Sequence, residues 1–201
     1  LSLKVFPGEI VGILGPNGCG KTTLFSMCIG EQNIEGGKIL LNNKAIDQIP
    51  IHLRAEEGLG YLPQQRSVFN MSVYDNILGV AQISIKGIDK QKEITEKLLD
   101  EFNLQHLRSL NANVLSGGEL RRLMMARVMI NDPKVVLLDE PYAALDPLII
   151  QDISKYILSI QAKKTSIIVS DHNVKNLFDI VDRAYVLGSQ GVIAEGTPRE
   201  L

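Results

Sequence analysis

Apolar residues in this chain come either in short unbroken runs or at helical spacing. Glu9-Ile10-Val11-Gly12-Ile13-Leu14, Val135-Val136-Leu137-Leu138 and Ser166-Ile167-Ile168-Val169 are runs without alternation, the pattern of parallel strands buried on both faces. Gly37 to Leu41, followed by a turn at Asn42-Asn43, and Gly58 to Leu62 read as further strands. Leu1 to Phe6 alternates like a strand and runs through Pro7-Gly8 into the first buried run, and Ala184–Leu187 with Gly191–Ala194 predicts a hairpin around Ser189-Gln190. Helical spacing marks residues 22–29, 148–161 and 173–181. Between Ser72 and Asn103 the texture is helical throughout. Val73, Ile77 and Val80 share one face, and Ile94, Leu98, Leu99 and Phe102 share another. The pattern predicts an α/β core with a parallel sheet, interrupted by a helical subdomain over about residues 66–133.

Composition adds exclusions. With 201 residues, 45% hydrophobic and 22% charged, the chain has ample material for one domain with a core. A net charge of −2 without any block of Lys or Arg argues against nucleic acid as the main partner. Cys19 and Cys28 are the two cysteines. Their positions fit neither a disulfide framework nor a zinc site, and a reduced, cytosolic setting is the simplest expectation. No stretch reads as a membrane span or signal peptide. Both ends are abrupt, and we expect further residues beyond each.

The most informative segment is Gly15-Pro16-Asn17-Gly18-Cys19-Gly20-Lys21-Thr22-Thr23. It fits G-x-x-x-x-G-K-[ST] between a buried strand and a helix, the loop that cradles nucleotide phosphates. Glycines let backbone N–H groups approach phosphate oxygens, and the helix N-terminus adds favourable partial charge. Lys21 is expected to reach the β- and γ-phosphates, and Thr22 to place its hydroxyl on Mg²⁺.

A second set follows. Asp139 and Glu140 close a buried strand, the end at which open α/β sheets bind ligands. Asp139 is placed to hold the hydration shell of Mg²⁺, and Glu140 to orient or deprotonate an attacking water. Leu115-Ser116-Gly117-Gly118-Glu119 opens a helix running to Asn131. Ser116-x-x-Glu119 is a capping box, and the capped start with two glycines is also an anion site.

With these motifs in this order, the chain resembles the ATP-binding-cassette (ABC) ATPases over essentially all its length. The resemblance implies a P-loop fold with an antiparallel β subdomain beside the parallel sheet. Gln64 in Tyr61-Leu62-Pro63-Gln64 matches the family's Q-loop glutamine, which contacts metal or water. Asp146 in Ala144-Leu145-Asp146 matches the D-loop, and His172 in Ser170-Asp171-His172 the switch histidine. His52 and His106 match nothing. Family members stack adenine on an aromatic residue upstream of the strand near Leu3, and no position here corresponds.

The resemblance further implies ATP hydrolysis by a head-to-tail homodimer. Lys21 and Thr22 of one copy would face Ser116, Gly117, Gly118 and Glu119 of the other, with Asp146 at the same interface. Within the family the chain is most similar to the ATPases of lipopolysaccharide export. That likeness rests on Tyr61 to Gln64, Ser67-Val68-Phe69, Ser72 to Asn76, Leu115 to Arg122 and Asp171-His172-Asn173-Val174. ATPases of branched-chain amino-acid importers share much of this text and are one alternative, a soluble ABC ATPase outside transport the other. The implied setting is the cytoplasmic face of the inner membrane, with membrane subunits docking near Val68, Phe69, Met71 and Tyr74.

Overall fold

The unbroken apolar runs become the centre of a six-stranded sheet. In the computed structural model, which describes residues 1–189 and 191–201, β1 (Ile10–Leu14), β5 (Val135–Asp139) and β6 (Ser166–Ser170) are almost wholly buried. Their side chains alternate between two cores. Ile10, Leu14, Val136 and Leu138 enter the larger one, while Val11, Ile13 and Leu137 enter the smaller one with Phe25 and Ile29. A strand covered on both faces has no polar side to show, which is why the sequence does not alternate.

The sheet order is β4-β5-β6-β1-β7-β8, where β4 is Leu59–Leu62, β7 Arg183–Gly188 and β8 Gly191–Gly196. All pairs are parallel except β7 with β8. The expected hairpin is thus formed, with Gly188 opposite Gly191, and Gln190 lies outside the described residues. Gly12 faces a close packing neighbour. A Cβ there would stand 2.5 Å from a Leu177 methyl, so its absence lets α7 (Val174–Phe178) approach the sheet.

Helix α1 (Lys21–Ile29) follows β1 and packs on the smaller core. It ends at Gly30 with φ +88°, and Arg54 in α2 (Ile51–Glu56) donates to the terminal carbonyls of Met27 and Cys28 at 2.8 Å each. A cation on the last carbonyls of a helix satisfies orphan acceptors and complements the macrodipole. Burial pushes the nearby Cys28 thiol up to about 11, against the opposing influence of Arg54.

Four expectations change. Residues 1–6 form no strand. Lys4 is tied to β7 by side chains instead, its N–H donating to the Tyr185 hydroxyl at 3.1 Å and its carbonyl accepting from Arg183. The run from Gly37 shrinks to β2 (Leu40–Leu41), paired with β3 (Lys44–Ala45). The antiparallel part is thus this short hairpin, apart from β8. The Ser72–Asn103 block divides into α3 (Val73–Ser84) and α4 (Ile88–Glu101), broken at Gly87 with φ +97°. Helix α7 stops at Phe178. Helices α3 and α4 pack together beside α5 (Gly117–Val128), and α6 (Pro147–Ala162) lies against α5.

Candidate active site

Strand register decides which polar residues meet. Leu62 pairs with Leu138, Asp139 with Ser170, and Ile13 with Ser170. The carboxyl ends of β4, β5, β6 and β1 therefore finish side by side. The residues that follow them are Gln64, Glu140, His172 and the loop from Gly15, so four segments distant in sequence converge on one edge.

The loop is shaped by its glycines. Gly15, Gly18 and Gly20 have φ of +153°, +79° and +102°. A Cβ on Gly15 would meet the Leu187 carbonyl at 2.6 Å and the Cys19 sulfur at 2.7 Å. Around Gly18 and Gly20, a Cβ would meet no atom within 4 Å, which leaves an open cradle. Gly20 is the N-cap of α1 and offers no side chain to its first turn, so those N–H groups face outward as an anion site. Lys21 is buried, and its ammonium donates to the carbonyls of Gly15 at 2.7 Å and Pro16 at 3.1 Å. Pro16, Asn17, Gly18, Thr22 and Thr23 are exposed.

Asp139 is 1% exposed. Its Oδ1 accepts from the Ser170 hydroxyl at 2.6 Å, while Oδ2 has no hydrogen-bond partner among the described residues. Burial, then the charge of Asp139, pushes the Tyr61 phenol up to about 12. Glu140 departs from the strand with φ +47°, and its N–H donates to the Ser170 carbonyl at 2.9 Å. A non-glycine residue in that region is uncommon and stores backbone strain. The turn aims its carboxylate at two of the expected partners. Gln64 Nε2 donates to Glu140 Oε2 at 2.6 Å, and His172 Nδ1 lies 3.8 Å from the same oxygen. His172 is also 3.8 Å from buried Asp171, whose Oδ1 accepts from the N–H of Asn173.

These features fit a nucleotide with a divalent cation. The cradle at Gly18 and Gly20 matches phosphate oxygens, and the orphaned Asp139 Oδ2 is an acceptor awaiting a donor. No cluster of three or more metal-ligating side chains occurs among the described residues.

Ser116, Gly117, Gly118, Glu119 and Asp146 are not brought to this edge by any hydrogen bond among the described residues. Ser116 caps α5, and the Glu119 carboxylate accepts from the Ser116 N–H at 2.8 Å and hydroxyl at 2.7 Å. Those bonds hold the Glu119 carboxyl below its usual range. Asp146 caps α6, accepting from the N–H groups of Leu148 and Ile149. The two caps touch, since a Cβ on Gly118 would stand 2.7 Å from Ile149 and one on Gly117 3.1 Å from Leu145.

Of the four residues expected at a docking surface, two are exposed and two are half-buried. Phe69 is 45% and Met71 40% exposed, while Val68 and Tyr74 pack on the larger core. Phe69 lies over the Arg127 guanidinium at 4.6 Å, a cation–π contact. Asn76, fully buried, holds this loop by accepting from the Phe69 N–H and donating to the carbonyls of Phe69, Met71 and Ser72. Arg127 also borders a groove of about 220 Å³ lined by Tyr61, Pro63, Ser67 and Val80. Sequence reasoning gave Asn76 and Ser170 no role. A buried amide or hydroxyl shows its importance only once its partners are known.

Residues 1–143 match the family described as ABC transporter. The chain belongs to that family. The cassette is 42% identical over 203 residues to the lipopolysaccharide export system ATP-binding protein LptB of Haemophilus influenzae, covering 100% of this chain and 84% of the relative. Among solved structures it superposes with TM-score 0.91 on cbiO1 from Clostridium perfringens, described as part of the ABC transporter complex cbiONQ, at 31% identity over 100% of this chain and 81% of that one. The ADP conformation of MJ1267, an ATP-binding cassette of an ABC transporter, gives TM-score 0.87 at 28% identity, covering 100% and 84%. The cassette is accordingly a nucleotide-binding P-loop ATPase.

Proposed function

We propose that this cassette hydrolyses ATP to power lipopolysaccharide export through separate membrane subunits, working as a head-to-tail homodimer on the cytoplasmic face of the inner membrane. The convergence of the Gly15–Thr23 loop, Gln64, Asp139, Glu140 and His172 on one sheet edge carries the enzymatic part. The likeness to LptB over the whole chain supports the cargo. Residues 1–201 act as one nucleotide-binding domain, with about 66–133 as its inserted helical part.

Phosphates bind against the N–H groups of Gly18 to Thr23 and the Lys21 ammonium, which leaves its carbonyl partners for the β- and γ-oxygens. When bound, Mg²⁺ neutralises charge on the phosphate oxygens. Thr22, Gln64 and Asp139, the last through water, are the residues that would hold it. Glu140 orients the attacking water and takes up its proton. His172, beside Glu140, donates toward the γ-phosphate. Gln64 in turn must leave Glu140 for its carboxylate to reach the water, which couples the loop toward Phe69 to the chemistry. Ser116 to Glu119 and Asp146 serve the nucleotide held by the other copy. Their backbone donors and helix dipole provide the charge stabilisation that an arginine finger gives elsewhere. Loss of the bridging γ-phosphate then opens the pair, a shift set by differential affinity. Phe69 and Met71 are the apolar contacts offered to the membrane subunits.

The test is a pull-down of tagged Glu140→Gln protein from mild-detergent membranes with ATP. Two membrane subunits bearing large periplasmic domains are expected. Many-span permeases with a solute-binding protein would instead assign the cassette to amino-acid import. Phe69→Glu is expected to lose the co-purifying subunits while still binding ATP, and undiminished recovery would remove Phe69 from that surface.

A further inference from the structure

Ser170 is fully buried at the last position of β6, in register with both Asp139 and Ile13. A hydroxyl there is unfavourable unless it is bonded, and every bond it makes serves the carboxylate pair. Its proton goes to Asp139 Oδ1 at 2.6 Å, and its oxygen lies 3.4 Å from the N–H of Glu140, whose main contact is the Ser170 carbonyl at 2.9 Å. One donor and two lone pairs suffice for both roles. The asymmetry at Asp139 follows from this. Oδ1 is engaged, and Oδ2, equally buried, is left without a partner among the described residues.

We propose that Ser170 is a positioning residue for ATP hydrolysis: its hydroxyl locks the Asp139 carboxylate so that Oδ2 stays free for the Mg²⁺ hydration shell. This rests on the reading of Asp139 given above. Without the hydroxyl, Oδ1 is an orphaned buried acceptor, and the carboxylate turns to recover a bond. Tyr61 of β4, whose phenol feels the Asp139 charge, is one donor it would turn toward. Partners that orient a metal-binding group typically matter by 10–100-fold in metal affinity.

The test uses the full chain and a fluorescent ATP analogue, titrating Mg²⁺ at fixed analogue, with Mn²⁺ resonance spectra as a second readout. Ser170→Ala is expected to raise the Mg²⁺ concentration at half-maximal effect about 10-fold. Metal-free analogue affinity should stay unchanged and the Mn²⁺ spectrum should alter. Ser170→Thr, which restores the hydroxyl, should return both toward wild type. Should Ser170→Ala not fold, Ser170→Cys keeps the volume with a poorer donor and carries the same comparison. Asp139→Asn separates the two layers. If it shifts the Mg²⁺ dependence and Ser170→Ala does not, the role of Ser170 is overturned and that of Asp139 stands. If Asp139→Asn has wild-type Mg²⁺ dependence, the reading of Asp139 fails, and the inference with it.

Discussion

Gln64, Glu140, His172 and the Gly15–Thr23 loop follow four different strands, and register alone brings them together. Ser116, Glu119 and Asp146 are held differently, each bonded within three residues of itself as a helix cap. The first group has open ends: an orphaned Asp139 oxygen, an uncapped α1 and a cradle at Gly18 and Gly20. The second group is locally satisfied and needs nothing from its own chain. A site distributed in this way is half built by tertiary structure and half left as a prepared surface. We infer that a second copy brings the two halves together.

The largest effect falls on the first half. Lys21→Ala should lower hydrolysis by roughly 100-fold or more through lost phosphate contacts. Stability should change by only about 1 kcal/mol, since the two carbonyls that Lys21 caps in the free loop can take water. Nucleotide titration beside urea unfolding measures both, and near-normal turnover would remove Lys21 from the chemistry. In the second half, stability and function should move together. Ser116→Ala deletes the α5 cap, expected to reduce stability by about 1 kcal/mol, while also weakening hydrolysis. An undisturbed unfolding midpoint would show that the cap is dispensable.

A finer cut comes from Asp146→Asn, because Asn caps about as well as Asp. Unfolding should shift by only a few tenths of a kcal/mol, so any fall in ATPase activity belongs to the charge and not to the helix. The smallest effect is acidic. The Glu119 carboxyl is held low by Ser116, so its folded value lies below its unfolded one. Its contribution is therefore complete above the ordinary carboxylate range and fades as pH falls through the lowered value. Glu119→Gln should flatten that limb of the stability–pH curve, and an unchanged limb would assign it to other acids.

The same division governs what sequence could reveal. Val135 to Leu138 and Ile10 to Leu14 were legible because strands buried on both faces are built mostly of apolar residues, and the phosphate loop because its spacing is chemically demanding. Leu1 to Phe6 alternates just as a strand would, yet pairing needs a neighbour with free backbone groups. Lys4 instead meets side chains of Arg183 and Tyr185. Val68 and Phe69 were indistinguishable as apolar residues, and only packing sends one inward and leaves the other over Arg127. Ser170 carried no signal beyond its place at a strand end. Its partner Asp139 lies 31 residues away, and that proximity exists only in the folded sheet.

The most direct test of two prepared halves is sedimentation of Glu140→Gln protein with and without ATP and Mg²⁺. The account predicts a monomer without nucleotide and a dimer with it. Adding Ser116→Glu, which sets a negative charge where the partner's phosphates would lie, should return the ATP-bound protein to monomer. A Glu140→Gln protein that binds ATP yet stays monomeric, or a dimer indifferent to Ser116→Glu, would contradict it.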